Sequence, residues 1–302
     1  MSEQVIQNPP VAETTPRQRT LEVPNGPEGI YLASLYTDLN HIYATHFPEI
    51  YRDPGIRAIK IGPPQIHRQY TSEGIKEIPL AASGRADPRD KTIVLEYGVK
   101  DSSKLGPDDL VLGLSPFPTD IKRKLLDILI MNHEINHPIF DQLTNFDSKV
   151  YFEGGEANAV QKYTTSVDGA LSEGFASLME FLALDVIRGN PKLLNFSLED
   201  VTTLTNEKRK RMFGFTDYND GEGFALGQYP QGLVKIMHKI YRDAAGPPKN
   251  RDMHQGVKAI ADFASRVDRN KAMNIPRTDP RFISILKTGN MQQLGPLVFK
   301  AA

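Results

Sequence analysis

The chain has 302 residues, 39% of them hydrophobic and 24% charged, and a formal net charge of -1; this make-up reads as an ordinary soluble globular protein, one large domain or two lobes sharing a core. Such a balance gives no general attraction to nucleic acid or to an acidic membrane, and no apolar run approaches the roughly 20 residues needed to span a bilayer. The absence of cysteine excludes disulfides, thiolate metal ligands and a cysteine nucleophile, so any metal has to be held by His, Asp or Glu.

Residues 1–27 are rich in Pro, Thr, Glu and Gln and read as a disordered tail. The start, Met1-Ser2-Glu3-Gln4, lacks the charged-then-apolar plan of a secretory signal, so a cytoplasmic location is expected. A first helix is predicted from Glu28 to Phe47, where Ile30, Leu35, Leu39, Ile42 and Tyr43 recur at helical spacing. Ile56 to Ile61 alternates apolar and polar residues between Pro54-Gly55 and Gly62-Pro63-Pro64, a strand signal. The polar stretch 64–90 reads as irregular, and a second strand, Thr92 to Tyr97, follows the turn-rich Asp87-Pro88-Arg89-Asp90.

A helix is predicted to begin after Pro116-Phe117-Pro118 and to run into Ile130-Met131-Asn132-His133-Glu134-Ile135-Asn136-His137, which contains HExxH. At about 100° per residue, His133 and His137 fall roughly 40° apart on one helix face, one turn above the other, so both imidazoles can reach one ion. Glu134 sits beside that face, where its carboxylate can take a proton from water on the ion. Leu125, Leu126, Ile128, Leu129 and Ile130 make the preceding turns apolar almost all round, as in a helix buried in a core. Two histidines and a glutamate at the end of such a helix need something to satisfy them. Pro138 cannot donate to the carbonyl of Glu134, so the helix should end or kink there, leaving both histidines in its last turn.

Ile139 to Val167 is mixed and contains Gly154-Gly155, which suggests a mobile or lid-like connection over a cleft. After Asp168, read as an N-cap, Gly169 to Leu182 forms a long apolar helix carrying Glu173 and Glu180. Ser197-Leu198-Glu199-Asp200 is a capping-box start for a further helix, whose Lys208-Arg209-Lys210-Arg211 run reads as a solvated helix end. Gly221-Glu222-Gly223 with Gly227 has the wrong spacing, and no preceding strand, for a dinucleotide loop. Helices are predicted at 231–244, 252–268 and 279–287. The chain thus divides into the tail, an α/β lobe over 28–137 ending in the HExxH helix, and a helical lobe over 138–302.

A catalytic zinc takes three protein ligands and keeps a position open. Downstream candidates for the third are Glu153, Glu156, Asp168, Glu173 and Glu180. Glu173 is the best placed, because an unpaired carboxylate in an apolar helix is costly. Glu180, seven residues on and nearly on the same face, can support the site by hydrogen bonding to a ligand.

HExxH followed by Leu171-Ser172-Glu173-Gly174-Phe175-Ala176 resembles the gluzincin metallopeptidases, above all the aminopeptidase N type and the peptidase MA-like proteins, in which an Asn-Glu-Gly-Phe-Ala segment carries the third zinc ligand. Tyr229-Pro230-Gln231-Gly232 is similar to their YxxG segment, with Tyr218-Asn219-Asp220-Gly221 in reserve. The resemblance covers roughly 90–300 in motif order. It implies an α+β, zincin-like fold with a small N-terminal sheet lobe packed on the HExxH helix and a mostly helical C-terminal lobe. It also implies zinc on His133, His137 and Glu173, Glu134 as the base that activates a zinc-bound water, and Tyr229 as the donor to the oxyanion. The expected partner is a peptide or protein substrate. Two departures stand out: the 35 residues between His137 and Glu173 are about twice the aminopeptidase spacing, and the Gly-x-Met-Glu-Asn segment that holds a free amino terminus is absent. The alternatives are a non-catalytic binding protein that keeps the zinc site, and a helical interaction protein in which HExxH is accidental.

Overall fold

The computed structural model describes residues 21–62, 66–71, 74–79, 82–97, 119–213 and 228–301. These residues form an α+β fold that is mostly helical, with one small three-stranded sheet. None of the described helices is long and apolar enough to cross a membrane.

Helix α1, Pro27–His46, starts with Pro27, whose fixed φ suits a first helical position and whose missing N–H costs nothing there. It buries Leu32, Leu35, Leu39, Ile42 and Tyr43. Ile30, expected on that face, is 73% exposed, and Leu32 takes its place. Inside the expected tail, Glu22 is already paired: its N–H donates to the Arg57 carbonyl and its carbonyl accepts from Ile59.

Strand β1, Ala58–Gly62, runs parallel to β5, Thr92–Tyr97, with Ile59 opposite Ile93; β4, Ala82–Asp87, lies antiparallel on the other side of β5, with Gly84 opposite Leu95. β4 is therefore an edge among the described strands. Between them, β2, Ile66–Thr71, and β3, Gly74–Pro79, pair as an antiparallel hairpin. The stretch 64–90, expected to be irregular, thus holds three strands. Its sequence shows little of the apolar alternation by which a strand is recognised, although the backbone forms two ladders there.

Helix α2, Thr119–Glu134, carries the first half of HExxH, and Leu125, Leu126, Ile128, Leu129, Ile130 and Met131 are all buried. It stops at Glu134, and α3, Asn136–Thr144, begins two residues later. The cause is Pro138: it has no N–H for the Glu134 carbonyl and its ring crowds that oxygen. The expected break therefore occurs, but one turn earlier than Pro138 itself, and His137 stands in the first turn of α3 rather than the last turn of α2. Asn136 closes the break, its Nδ2 donating to the Asn132 carbonyl and to the Tyr43 hydroxyl, both at 2.6 Å.

The stretch expected to be a mobile connection has structure of its own: a 3-10 turn, Ser148–Phe152, and helix α4, Glu156–Thr165. Helix α5, Val167–Gly189, is the central element of the helical part, buried on nearly every side. Its N-cap is Ser166, whose Oγ accepts from the Gly169 N–H at 3.2 Å; Asp168, expected to cap, lies inside the first turn and is fully buried. The remaining elements are α6, Leu198–Phe213, capped by Ser197; α7, Gln228–Ala245; α8, Met253–Arg266; α9, Arg269–Met273; α10, Pro280–Thr288; and α11, Met291–Val298. One contiguous apolar core runs from Leu32 of α1 to Val298 of α11, with α5 packed against α2, α3, α4, α6 and α7.

Candidate metal centre

At the break between α2 and α3, His133 and His137 present their rings to the same space, centroids 5.0 Å apart and nearly perpendicular. Helix α5 crosses there and brings Glu173. One carboxylate oxygen of Glu173 lies 3.1 Å from His133 Nε2, and the other 3.9 Å from His137 Nε2. One ligand atom from each of His133, His137 and Glu173 falls within 4.8 Å of the other two, which suits a single ion.

The two imidazoles are also held from behind. His133 Nδ1 is 3.3 Å from Glu180 Oε2, and His137 Nδ1 is 2.9 Å from Ser172 Oγ. A partner on Nδ1 that accepts a hydrogen bond fixes the proton there and leaves the Nε2 lone pair facing the cluster, as metal-ligating histidines require. Glu180 is itself buried and ion-paired to Lys208 Nζ at 2.8 Å. Further back, the Tyr43 hydroxyl donates to Asn132 Oδ1, and Asn132 Nδ2 donates to the Glu180 carbonyl.

Electrostatics follow from this packing. Burial works against charge on His133, but the hydrogen bonds with Glu173 and Glu180 outweigh it and push the imidazole up to about 10. Burial likewise opposes charge on Glu173, yet both histidines hold its carboxyl well below the usual range. His137, with no carboxylate as close, is pushed down by burial to about 4.

Glu134 lies beside this cluster, its Oε2 3.9 Å from His137 Nε2. Burial, reinforced by the charges of Glu173 and Glu96, pushes its carboxyl up to about 8, while the Ala86 N–H of β4 donates to it. The edge strand can approach so closely because of Gly84: a Cβ there would stand 2.2 Å from Ile130 Cγ2 and 2.9 Å from Glu134 Cγ. A cavity of about 620 Å³ opens here, lined by Glu134, His137 and Glu173 together with Gly84 and Ala86 of β4 and Val160 and Tyr163 of α4.

Of the other candidate ligands, Asp168 is taken by Arg269, which bonds both of its oxygens and is paired with Asp141 as well. Glu153 is exposed at the end of the 3-10 turn. Glu156 opens α4, away from the cluster in sequence and outside the residues with described side chains. Tyr229 lies in the first turn of α7, where its side chain is not among those described, and Tyr218 falls outside the described residues.

Three residues of the centre were not singled out from the sequence. Tyr163 donates to Glu173 Oε1 at 2.9 Å, Ser172 holds His137, and Arg269 ties α3 and α5 to α9. Ser172 sits in the resemblance segment beside Glu173 and could have been marked by that; nothing in the run Lys162-Tyr163-Thr164-Thr165 distinguishes its tyrosine. No protein-family model, curated protein or solved structure matches the chain.

Proposed function

We propose that the protein is a zinc-dependent metallopeptidase of zincin-like architecture, with zinc on His133, His137 and Glu173 and with Glu134 as general base. The observation that carries this reading is the convergence of two imidazole nitrogens and a carboxylate within 4.8 Å, each imidazole with its other nitrogen already occupied. The donor set fits the ion: nitrogen and oxygen ligands in the number a catalytic zinc uses, without sulfur. Supporting it are the cavity that Glu134, His137 and Glu173 help to line and an edge strand, β4, along which an extended peptide can lie.

Zinc held by these residues would polarise the scissile carbonyl and lower the pKa of water toward about 7. Glu134 takes the proton of the attacking water, and next to a dication its carboxylate is the favoured form at neutral pH. As the carbon–nitrogen bond breaks, Glu134 returns that proton to the leaving amine. The Ala86 N–H donates to that carboxylate and favours its charged form. Glu180 and Ser172 keep the imidazoles turned toward the cluster.

Metal analysis and a mixed peptide library test the reading together. The expected outcome is about one zinc per chain, cleavage by the parent protein, and a Glu134→Gln variant that keeps zinc and cleaves nothing, because an amide cannot accept the proton. Zinc at full occupancy with no cleavage of any peptide would replace this reading with that of a zinc-containing binding protein. A preparation that binds no zinc at all would remove both.

A further inference from the structure

We infer that the end of the cavity formed by the β4–β5 turn and the 3-10 turn is a specificity site for an acidic side chain of the substrate, with Lys91 and Lys149 as its cations. The inference rests on the peptidase reading above and adds a substrate class to it: peptides that carry Asp or Glu a few residues from the bond cleaved.

The two turns touch at this end. Arg89, between β4 and β5, lays its guanidinium over the ring of Phe152, 4.0 Å from the centroid, and Phe152 closes the 3-10 turn Ser148–Phe152. Residues three apart in a 3-10 turn lie one above the other, so Lys149 shares the face of Phe152. Lys91 is two positions on from Arg89, and its ammonium rests against the turn at Gly55, where an added Cβ would stand 3.5 Å from Nζ. Arg89, Lys91, Lys149 and Phe152 all line the cavity, as do Pro54 and Ile56 on either side of Gly55.

The charges at this end do not cancel. Asp87 is held by Arg89 through two bonds, at 3.1 and 2.7 Å, and Asp147 caps the 3-10 turn by accepting from the Lys149 N–H. Lys91 and Lys149 are exposed and form no ion pair among the described residues. A carboxylate placed between the two turns accepts charge-assisted hydrogen bonds from both ammonium groups, whereas a cation there is repelled. Lys91 also holds a left-handed backbone, φ 54°, which Gly or Asn adopts more readily. Strain of this kind beside a cavity points to a use for the side chain.

The place of the acid along the substrate follows from β4. Arg89 lies three positions beyond Ala86, whose N–H donates to Glu134, or roughly 10 Å at extended spacing. A peptide lying along this edge brings a side chain to the two lysines about two to four residues from the bond cleaved. Both lysines are exposed at the rim, so the substrate chain can continue past them, which suits a side chain rather than a chain end.

The test uses the full zinc-loaded chain and peptides acetylated and amidated at their ends, identical except for Glu, Gln or Lys at one position near the cleaved bond. At the favoured position kcat/KM should rank Glu above Gln above Lys. The Glu-to-Gln ratio should be about 3-fold to 20-fold, mostly through KM, because a remote contact is made equally in ground and transition states. Sodium chloride at about 0.5 M should shrink that gap. Lys91→Gln with Lys149→Gln should bring the ratio to about one, and Lys91→Glu with Lys149→Glu should turn the preference toward the Lys peptide. Ratios within one variant are insensitive to any general loss of folded enzyme. Equal rates for Glu, Gln and Lys at every position overturn the proposal, and so does a Glu preference that survives in both double variants. A gain seen only when the amidated end is replaced by a free carboxylate overturns it too, because the cations would then serve the chain terminus. Binding separates the two levels: Glu134→Gln, expected to keep zinc, allows affinity for the same peptides to be read by fluorescence anisotropy without cleavage. If the parent cleaves nothing while Glu peptides bind in a lysine-dependent way, the peptidase reading fails and the acidic site stands. If the parent cleaves without regard to charge, the peptidase reading stands and only this assignment fails.

Discussion

Glu180 and Ser172 touch only the far nitrogens of the two histidines, yet they decide which way the near nitrogens face. Removing such a partner typically costs about 10-fold to 100-fold in metal affinity. Ser172→Ala and Glu180→Gln are each expected to weaken zinc binding by that order in competition with a chromophoric chelator; parent-like affinity in both would mean that the imidazoles orient themselves. Glu180 should be the more severe of the two. It is 1% exposed and paired with Lys208, so its replacement also leaves an ammonium without its buried partner. At the same scale, His133→Ala, His137→Ala and Glu173→Ala should each lose zinc on dialysis. Stoichiometric zinc in Glu173→Ala would move the third ligand elsewhere.

Between elements, the contact that matters most is β4 against α2. Gly84 is the only residue that fits there without displacing Ile130 or Glu134. Overpacking of this kind costs about 1–3 kcal/mol. Gly84→Ala should therefore unfold at lower urea and, because the strain falls on Glu134, lose turnover while keeping zinc; unchanged turnover would show that the strand can slide away freely. The stretch 139–167 is the second case. Its length suggested a lid; in the structure the Tyr151 hydroxyl of the 3-10 turn bonds Asp168, which Arg269 holds together with Asp141, and Tyr163 of α4 donates to Glu173 while Arg277 bonds its carbonyl. Arg269 lies over the rings of Phe140 and Phe146, at 4.8 and 4.2 Å. Replacing one partner of a buried ion pair typically costs about 3–5 kcal/mol. Arg269→Met should lower the unfolding midpoint accordingly and expose the amides of Glu156–Thr165 to exchange; parent-like exchange would mean that α4 does not depend on this anchor.

For the molecule as a whole, one apolar core extends from α1 to α11, so disturbances far from the candidate metal centre register in global stability. His238 of α7 is an example. It packs on Phe181 and Tyr241, and burial, then the charges of Arg242, Arg251 and Arg209, push its imidazole down to about 4 from an ordinary 6.5. Above pH 6.5 both folded and unfolded chains carry it neutral, so its contribution is intact. As the pH falls from 6.5 toward 4, the unfolded chain takes a proton that the folded chain refuses, and stability is lost. His238→Phe should lessen the decline in melting temperature over that window relative to the parent; an identical decline would place the acid sensitivity elsewhere. Its partial exposure keeps the effect modest.

HExxH was legible because it is local: His133 and His137, four positions apart, come to the same side even though the chain breaks between α2 and α3, and Pro138 announces that break. Long helices were legible for the same reason, since periodicity is written within each segment, and so was the strand 92–97, whose residues Thr92 to Glu96 are buried on both sides. Glu173 could be singled out because a carboxylate in an apolar helix demands a partner. What the sequence left undetermined depends on residues far apart in the chain. β2, β3 and β4 are the exception: they pair with their chain neighbours as hairpins, Thr71 opposite Gly74 and Asp87 opposite Thr92, but their sequence shows little apolar alternation. Asp168 belongs to Arg269, 101 positions away, which no spacing rule reaches. Tyr163 comes beside Glu173 only because α4 folds back against the start of α5 at Gly169, a close approach of backbones that a single glycine permits and no motif records.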